Sequence, residues 1–296
     1  EAVEKLARME LELVAEAVTS EAVTTSAIEG EGLDRESVRS SVLRHLGLAT
    51  GRRSGPREEG VAHMMMELHR GSDLDLGHQT LREWHEWLMQ GRRELACVGS
   101  YRTHPEPMRV VSGPMGREKL HFEAPPSERV PSEMDRFLQW FNGCRLNLSP
   151  LARSGIAHLY FVSIHPFEDG NGRIGRALSE RAISQGLGGP CPTLLSTEIL
   201  SRRKEYYSQL EHANKGLEID DWLLWFAGVV LAAQRVTLSL IEFLIAKTRL
   251  LDRLQGRING RQERALLRML AEGPQGFQGG LSSGNYQSIT GASPAT

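Results

Sequence analysis

The chain has 296 residues, 40% of them apolar and 24% charged, enough for one large domain or two modest ones around a hydrophobic core. Its 35 Lys and Arg nearly balance 37 Asp and Glu, giving a formal charge of −2, which argues against a general nucleic-acid binder or a polybasic membrane binder. Cys97, Cys144 and Cys191 are too scattered for a disulfide framework or a Cys-based zinc site, and a cytoplasmic location is expected. The chain opens on Glu1-Ala2-Val3 without a Met, which reads as a piece of a longer protein.

In chain order, Leu6, Met9, Leu13, Val14, Ala17 and Val18 recur at helical spacing, and the spacing predicts a helix from residue 1 to about 29, stopped by Gly30 and Gly32. A second helix is expected over Arg35 to Leu46 with Asp34 as N-cap. Gly51 to Pro56 reads as a linker, followed by helical patterns near 57–70 and 78–90. Residues 108–122 hold two short alternating runs around Gly113-Pro114, a hairpin signal, closed by Pro125-Pro126. Helical periodicity then returns over 132–143, 149–163, 172–186, 196–215, 220–256 and 261–272. The apolar run Trp222 to Ala233 is shorter than the roughly 20 residues that cross a bilayer, so it reads as a core helix and no membrane association is expected. The Gly/Ser-rich tail is expected to be disordered or the front of a small domain. A mainly α fold with one hairpin follows, with expected domains 1–55, 56–256 and 257–296.

One string stands apart: His165-Pro-Phe-Glu-Asp169-Gly170-Asn171-Gly172-Arg173-Ile-Gly-Arg176. Gly170 and Gly172 permit a tight loop whose backbone N–H groups approach an anion. The loop opens a predicted helix whose N-terminus favours phosphate. Arg173 and Arg176 sit three apart, so one helix face can clamp phosphate oxygens. Asp169 would repel phosphate unless a divalent cation lies between them, which implies Mg²⁺. His165, just outside the loop, can act as general base for an incoming hydroxyl. The glycines also fit G-x-G-x-x-G, but no βα alternation surrounds them and no acidic residue follows at the required strand end; a Walker A loop is absent.

The string resembles in full the Fic-family signature, His-x-Phe-x-[Asp/Glu]-Gly-Asn-Gly-Arg-x-x-Arg, and the resemblance extends over roughly residues 20–256. Tyr101-Arg102 and the 108–122 hairpin resemble the segment leading into the family's flap and the flap itself; Arg203, Tyr206, Tyr207 and Asn214 resemble its nucleoside-binding stretch. The resemblance implies a helical bundle with a β-hairpin flap. It also implies transfer of AMP from ATP to a Ser, Thr or Tyr hydroxyl of a target protein. By position, His165 would deprotonate that hydroxyl, Asp169 would hold Mg²⁺, and Gly170, Asn171 and Gly172 would cradle the α/β-phosphates. Arg173 and Arg176 would anchor the β/γ side, Tyr206, Tyr207 and Asn214 would surround adenosine, and Phe167 would pack the loop on the core. The target would dock on the 108–122 flap by strand addition, and two copies of the chain can pair as a homodimer.

Thr25-Ser-Ala-Ile-Glu29-Gly30 resembles the family's inhibitory motif, [Ser/Thr]-x-x-x-Glu-[Gly/Asn]. Glu29 falls at a helix C-terminus, where the dipole disfavours an anion by about 0.3–1 kcal/mol unless a cation offsets it. In the family that cation is the second motif arginine, here Arg176. The resemblance therefore implies autoinhibition in cis, or a Glu29 that aligns water for removing AMP. The tail from Gly276 resembles the start of a winged helix-turn-helix that stops where a recognition helix would begin, so no specific DNA binding is expected of this chain. Two alternatives remain. One is de-AMPylation, or transfer of another nucleotidyl or phospho group, on the same site. The other is an ATP-sensing regulator with a helix-turn-helix output.

Overall fold

The computed structural model describes residues 2–48, 53–112, 119–145, 147–277 and 280–293. The helices in chain order are α1 (Ala2–Ile28), α2 (Arg35–His45), α3 (Pro56–Arg70), α4 (His78–Leu88), α5 (Val130–Gly143), α6 (Pro150–Ile164), α7 (Asn171–Leu187), α8 (Leu195–Ser201), α9 (Arg203–Ala213), α10 (Asp220–Leu254), α11 (Gly260–Leu270) and α12 (Ser283–Thr290). The strands β1 (Arg109–Ser112) and β2 (Lys119–Glu123) pair antiparallel between α4 and α5. The mainly α reading holds. Asp34 caps α2 as expected, its carboxylate accepting from Ser37 N at 2.6 Å.

The register Val110↔Phe122 then Val111↔Leu120 leaves one extra residue on β2, a bulge that sharpens the local twist. Residues 113–118 between the strands, which include the predicted Gly113-Pro114, and the linker residues 51 and 52 lie outside the described residues.

Two expectations need correction, and one pair of alternatives is decided. The single helix predicted over 196–215 is two, because Arg202 leaves the helical region (φ −116°, ψ 28°) and separates α8 from α9. Of the two readings of the Gly/Ser-rich tail, the disordered one is excluded over Ser283–Thr290, where α12 packs against α11 with Arg264 Nη2 donating to Thr290 O at 3.3 Å; residues 278 and 279 of the resembling stretch lie outside the described residues. The apolar stretch does not end at Ala233, since Val236–Ile245 resumes it beyond Gln234-Arg235. By length and composition alone α10 is long and apolar enough to cross a bilayer, with a third of its most apolar window buried.

Two units make up the chain, and the division falls inside α1 and α10: Val14–Gln234 form one, Glu1–Leu13 with Arg235–Thr296 the other. The smaller unit pairs Lys247 with Glu12. In the larger unit, Val18, Val38, Val61, Trp84, Phe137, Phe161, Phe167 and Ile174 form one buried cluster. Ile28, Leu159, Leu195, Tyr206, Trp222 and Phe226 form a second.

Helices α6 and α7 make a close hairpin because Gly175 lets α7 lie against α6. A Cβ there would meet Val162 Cγ1 at 2.9 Å and His158 Nδ1 at 3.1 Å, and Ser179 Oγ donates to Ser154 O at 3.1 Å. The loop joining them is the motif loop.

Helix α1 is fastened to this hairpin's surroundings by a buried carboxylate. Glu21 accepts from Ser196 N at 2.9 Å and from Thr197 N at 3.4 Å. Burial lifts its pKa from 4.5 to about 7, against those hydrogen bonds and the nearby Arg176 charge; Glu180 beside it is also pushed up by burial and by Glu21. A raised folded-state pKa means stability that is complete below pH 4.5 and is lost as pH rises to about 7. Glu21→Gln keeps an acceptor and removes the titration. Its melting temperature relative to the parent is expected to rise progressively between pH 4.5 and 7. A pH-independent difference would contradict this.

Candidate active site

Helix α6 ends at His165, the one non-glycine residue with positive φ (51°) among those described. That conformation costs on the order of 1–3 kcal/mol and clusters at functional sites. His165 Nδ1 lies 3.2 Å from Val162 O. A carbonyl only accepts, so Nδ1 carries the proton and Nε2 keeps its lone pair. Burial pulls the ring's pKa from 6.5 to about 4, opposed by the Val162 hydrogen bond and the Glu29 and Asp169 charges, and reinforced by Arg102. The ring is therefore neutral at pH 7 and ready to accept a proton.

Beyond His165 the loop is closed from inside. Asn171 is buried, and its side chain accepts from Phe167 N (3.0 Å) and donates to Phe167 O (2.8 Å). Phe167 is fully buried and stacks on His85 at 4.1 Å, as expected of a packing residue. The Asn171 side chain is thus a loop clasp; only its backbone N–H, in the first turn of α7, is left for an anion. Glu168, which the sequence left without a role, accepts from Ala96 N (2.8 Å) and Cys97 N (3.3 Å), holding the segment after α4 onto the loop.

Gly170 has φ +79°, and a Cβ would meet Met89 Cε at 2.7 Å. Gly170→Ala is expected to lower stability by about 1–3 kcal/mol, read from denaturant unfolding. A midpoint within error of the parent would contradict the need for glycine there.

Both motif arginines are buried and both meet carboxylates from the turn after α1. Arg176 donates to Glu29 Oε1 (2.7 Å), Thr25 Oγ1 (2.8 Å) and Thr25 O (2.9 Å). Arg173 donates from Nη1 to Glu31 Oε2 at 2.7 Å. Its Nε and Nη2 have no hydrogen-bond partner, although Nη2 lies 3.5 Å from Asp169 Oδ1. Gly30, at φ 84°, makes the turn that presents Glu29 and Glu31 together, with Glu31 N donating to Ser26 O at 3.0 Å. A Cβ on Gly172 would run into the Glu29 carboxylate, which therefore lies over the first turn of α7.

Asp169 Oδ1 accepts from Gly170 N (2.6 Å) and Oδ2 from Arg92 Nη2 (2.7 Å). Arg92 Nη1 also donates to Glu31 Oε1 at 2.5 Å. The ring of Arg92, Glu31, Arg173 and Asp169 was not legible from the motif, because Arg92 and Glu31 lie far from it in sequence. No group of three or more His, Cys, Asp or Glu residues fit to hold a metal ion exists among the described residues. A lone carboxylate beside a glycine loop still suits Mg²⁺, which takes one or two carboxylates and completes its shell with phosphate and water.

The three residues expected around adenosine separate. Tyr206 is 1% exposed; its hydroxyl meets His158 Nε2 at 2.8 Å and Arg176 Nη1 at 3.4 Å, so it backs the arginine from the core side. Tyr207 donates to Ile28 O (3.2 Å) and Glu29 Oε2 (3.4 Å), bracing the turn after α1. Asn214 borders a cavity of about 540 Å³, with Phe122, Ala124, Tyr160, Ser163 and Leu217. Ser163 Oγ donates to Asn214 Oδ1 at 2.9 Å.

The helical hairpin with a buried-arginine glycine loop defines a Fic-type site. Residues 74–182 match the family model described as Fic/DOC family, and this segment is similar to Fic-family proteins. Residues 2–48 match a domain of unknown function, DUF4172. The chain is 38% identical over 90 residues to Protein adenylyltransferase fic-1 of Caenorhabditis elegans, covering 30% of this chain and 17% of that protein. It is 37% identical over 84 residues to Protein adenylyltransferase Fic of Drosophila mojavensis, covering 28% and 16%. The matched part thus spans under a fifth of these relatives. A Fic family protein from Desulfovibrio desulfuricans G20 shares the fold, with TM-score 0.59 and 24% identity over 94% of this chain and 76% of that one. Residues 134–508 of Fic-1 from C. elegans share it at TM-score 0.52 and 23% identity, over 76% and 63%.

Proposed function

We propose that the chain transfers AMP from ATP to a hydroxyl side chain of a protein and is held off by the turn after α1. One observation carries the reading: a neutral His165 beside the glycine loop of a helix whose two buried arginines both hold carboxylates from that turn. Those arginines are built to hold anions, and in this state Glu29 and Glu31 are the anions they hold. The names of the relatives over the matched segment support the same chemistry.

In the released state, His165 Nε2 takes the proton of the target hydroxyl as its oxygen bonds to the α-phosphorus. The bond from α-phosphorus to the bridging oxygen breaks, and pyrophosphate leaves. First-turn N–H groups at Asn171 and Gly172 meet the charge that develops on the α-phosphate, while Arg173 and Arg176 hold the leaving pyrophosphate. Asp169, once Arg92 lets go, would hold Mg²⁺, which supplies charge neutralisation at the phosphates. Asn214 would meet the nucleoside in the 540 Å³ cavity, and the target would add a strand to the β1–β2 hairpin.

The test is mass spectrometry of lysate proteins incubated with ATP, Mg²⁺ and the Glu29→Gly chain. Adenosine monophosphate on Ser, Thr or Tyr is expected. Loss of AMP from pre-modified proteins instead, needing Glu29, would assign the reverse reaction. Neither outcome, with ATP still bound, would leave the sensor reading.

A further inference from the structure

Arg102 is 1% exposed, yet among the described residues every guanidinium partner it has is an uncharged oxygen. Nε donates to His165 O at 2.8 Å. Nη2 donates to Pro125 O at 2.5 Å and to Ile164 O at 3.4 Å. Nη1 donates to Ser127 Oγ at 3.0 Å, and that hydroxyl donates onward to His104 O at 2.5 Å. The Arg102 backbone N–H donates to Pro166 O at 2.9 Å. Three consecutive carbonyls, Ile164, His165 and Pro166, are thus held by one residue, and the same fork grips the chain just past β2.

Burying a cation without a counter-ion is costly. What this one provides is geometry. The last carbonyls of α6 have no helical partner, and a cation at a helix C-terminus suits its dipole. The left-handed backbone of His165 points its carbonyl at Arg102 Nε, so the conformation that sets the imidazole is fixed by this contact. A planar fork reaches acceptors on both sides at once, which an ammonium cannot.

We infer that Arg102 is a positioning residue that locks His165 in its left-handed conformation and ties it to the base of the β1–β2 hairpin, so that general base and docked target strand keep one fixed offset. This rests on the transfer reaction proposed above. Arg102 touches none of the residues expected to bind phosphate, so it is expected to act on turnover rather than on ATP binding.

The test compares Arg102→Met, Arg102→Lys and Arg153→Met, each in the Glu29→Gly background, by steady-state transfer from α-labelled ATP into lysate protein and by crystal structures. Arg153 is the control for a buried arginine. It is also 1% exposed and spent on Phe141 O (2.8 Å) and Gln185 Oε1 (2.6 Å), in the first turn of α6 at the end opposite the loop. Arg102→Met is expected to lower kcat on the order of 100-fold, as misplacement by about an ångström does, with KM for ATP within about twofold. Arg102→Lys should fall between it and the parent. Arg153→Met should lose melting temperature and keep kcat. In the Arg102→Met crystal, His165 φ should leave the left-handed region.

An unchanged kcat for Arg102→Met, or an equal kcat loss in Arg153→Met, overturns the assignment. So does a crystal in which His165 and the Pro125–Ser127 segment stay in place. If the Glu29→Gly background transfers no label, the reaction reading fails by itself, and the His165 backbone still decides the role of Arg102.

Discussion

Glu29→Gly is expected to raise AMP transfer by about 5- to 150-fold, the span of a coupling of about 1–3 kcal/mol. Glu29 Oε1 holds Arg176 Nη2 at 2.7 Å and covers the first turn of α7 where Gly172 lacks a side chain. One guanidinium cannot serve Glu29 and a nucleotide phosphate together. Glu31 holds Arg173 in the same way, and Arg92 sits on Asp169. Removing Glu29 alone therefore frees half the site, and Glu29→Gly with Glu31→Gln is expected to transfer several-fold faster again. The release has a cost: Arg176 stays buried with one charged partner fewer, so Glu29→Gly should lose about 1–3 kcal/mol of stability. Initial rates from α-labelled ATP and thermal melts check both. Equal rates for parent and Glu29→Gly would mean that the carboxylate does not compete with ATP.

The second large effect is at His165. His165→Asn removes the base while keeping a residue that tolerates a left-handed backbone, so the loop survives the change. Transfer in the Glu29→Gly background is expected to fall by about 10²–10⁴-fold, the usual worth of a general base. ATP affinity by calorimetry should hold within about twofold, since His165 is assigned to the hydroxyl and not to the phosphates. A matching loss of ATP affinity would place His165 among the binding groups instead.

The geometry of the loop was legible because it is local. His165, Asp169, Gly170, Gly172, Arg173 and Arg176 sit in one stretch whose spacing imposes a turn and a helix start, and the structure builds both. Glu29 was legible because a helix stop at Gly30 places an anion where it needs a cation. What escaped the sequence are contacts across long separations: Arg92 on Asp169, Glu31 on Arg173, Arg102 on His165, Glu168 on the 96–97 amides. No periodicity signals a buried arginine that ends on carbonyls. Tyr206 misled because tyrosines at helical spacing read equally as pocket or core, and burial against His158 and Arg176 decides for core. The break at Arg202 escaped because α8 and α9 share one apolar period with a single non-helical residue between them.

In the proposed reaction this site splits ATP between its α-phosphorus and the bridging oxygen and leaves AMP on a protein. The most direct test incubates the Glu29→Gly chain, Mg²⁺ and a cell lysate with ATP labelled either on the α- or on the γ-phosphate. Protein label from the α-position only, lost in Glu29→Gly with His165→Asn, is the predicted result. Label from the γ-position, or no protein label from either while ATP is bound, would contradict it.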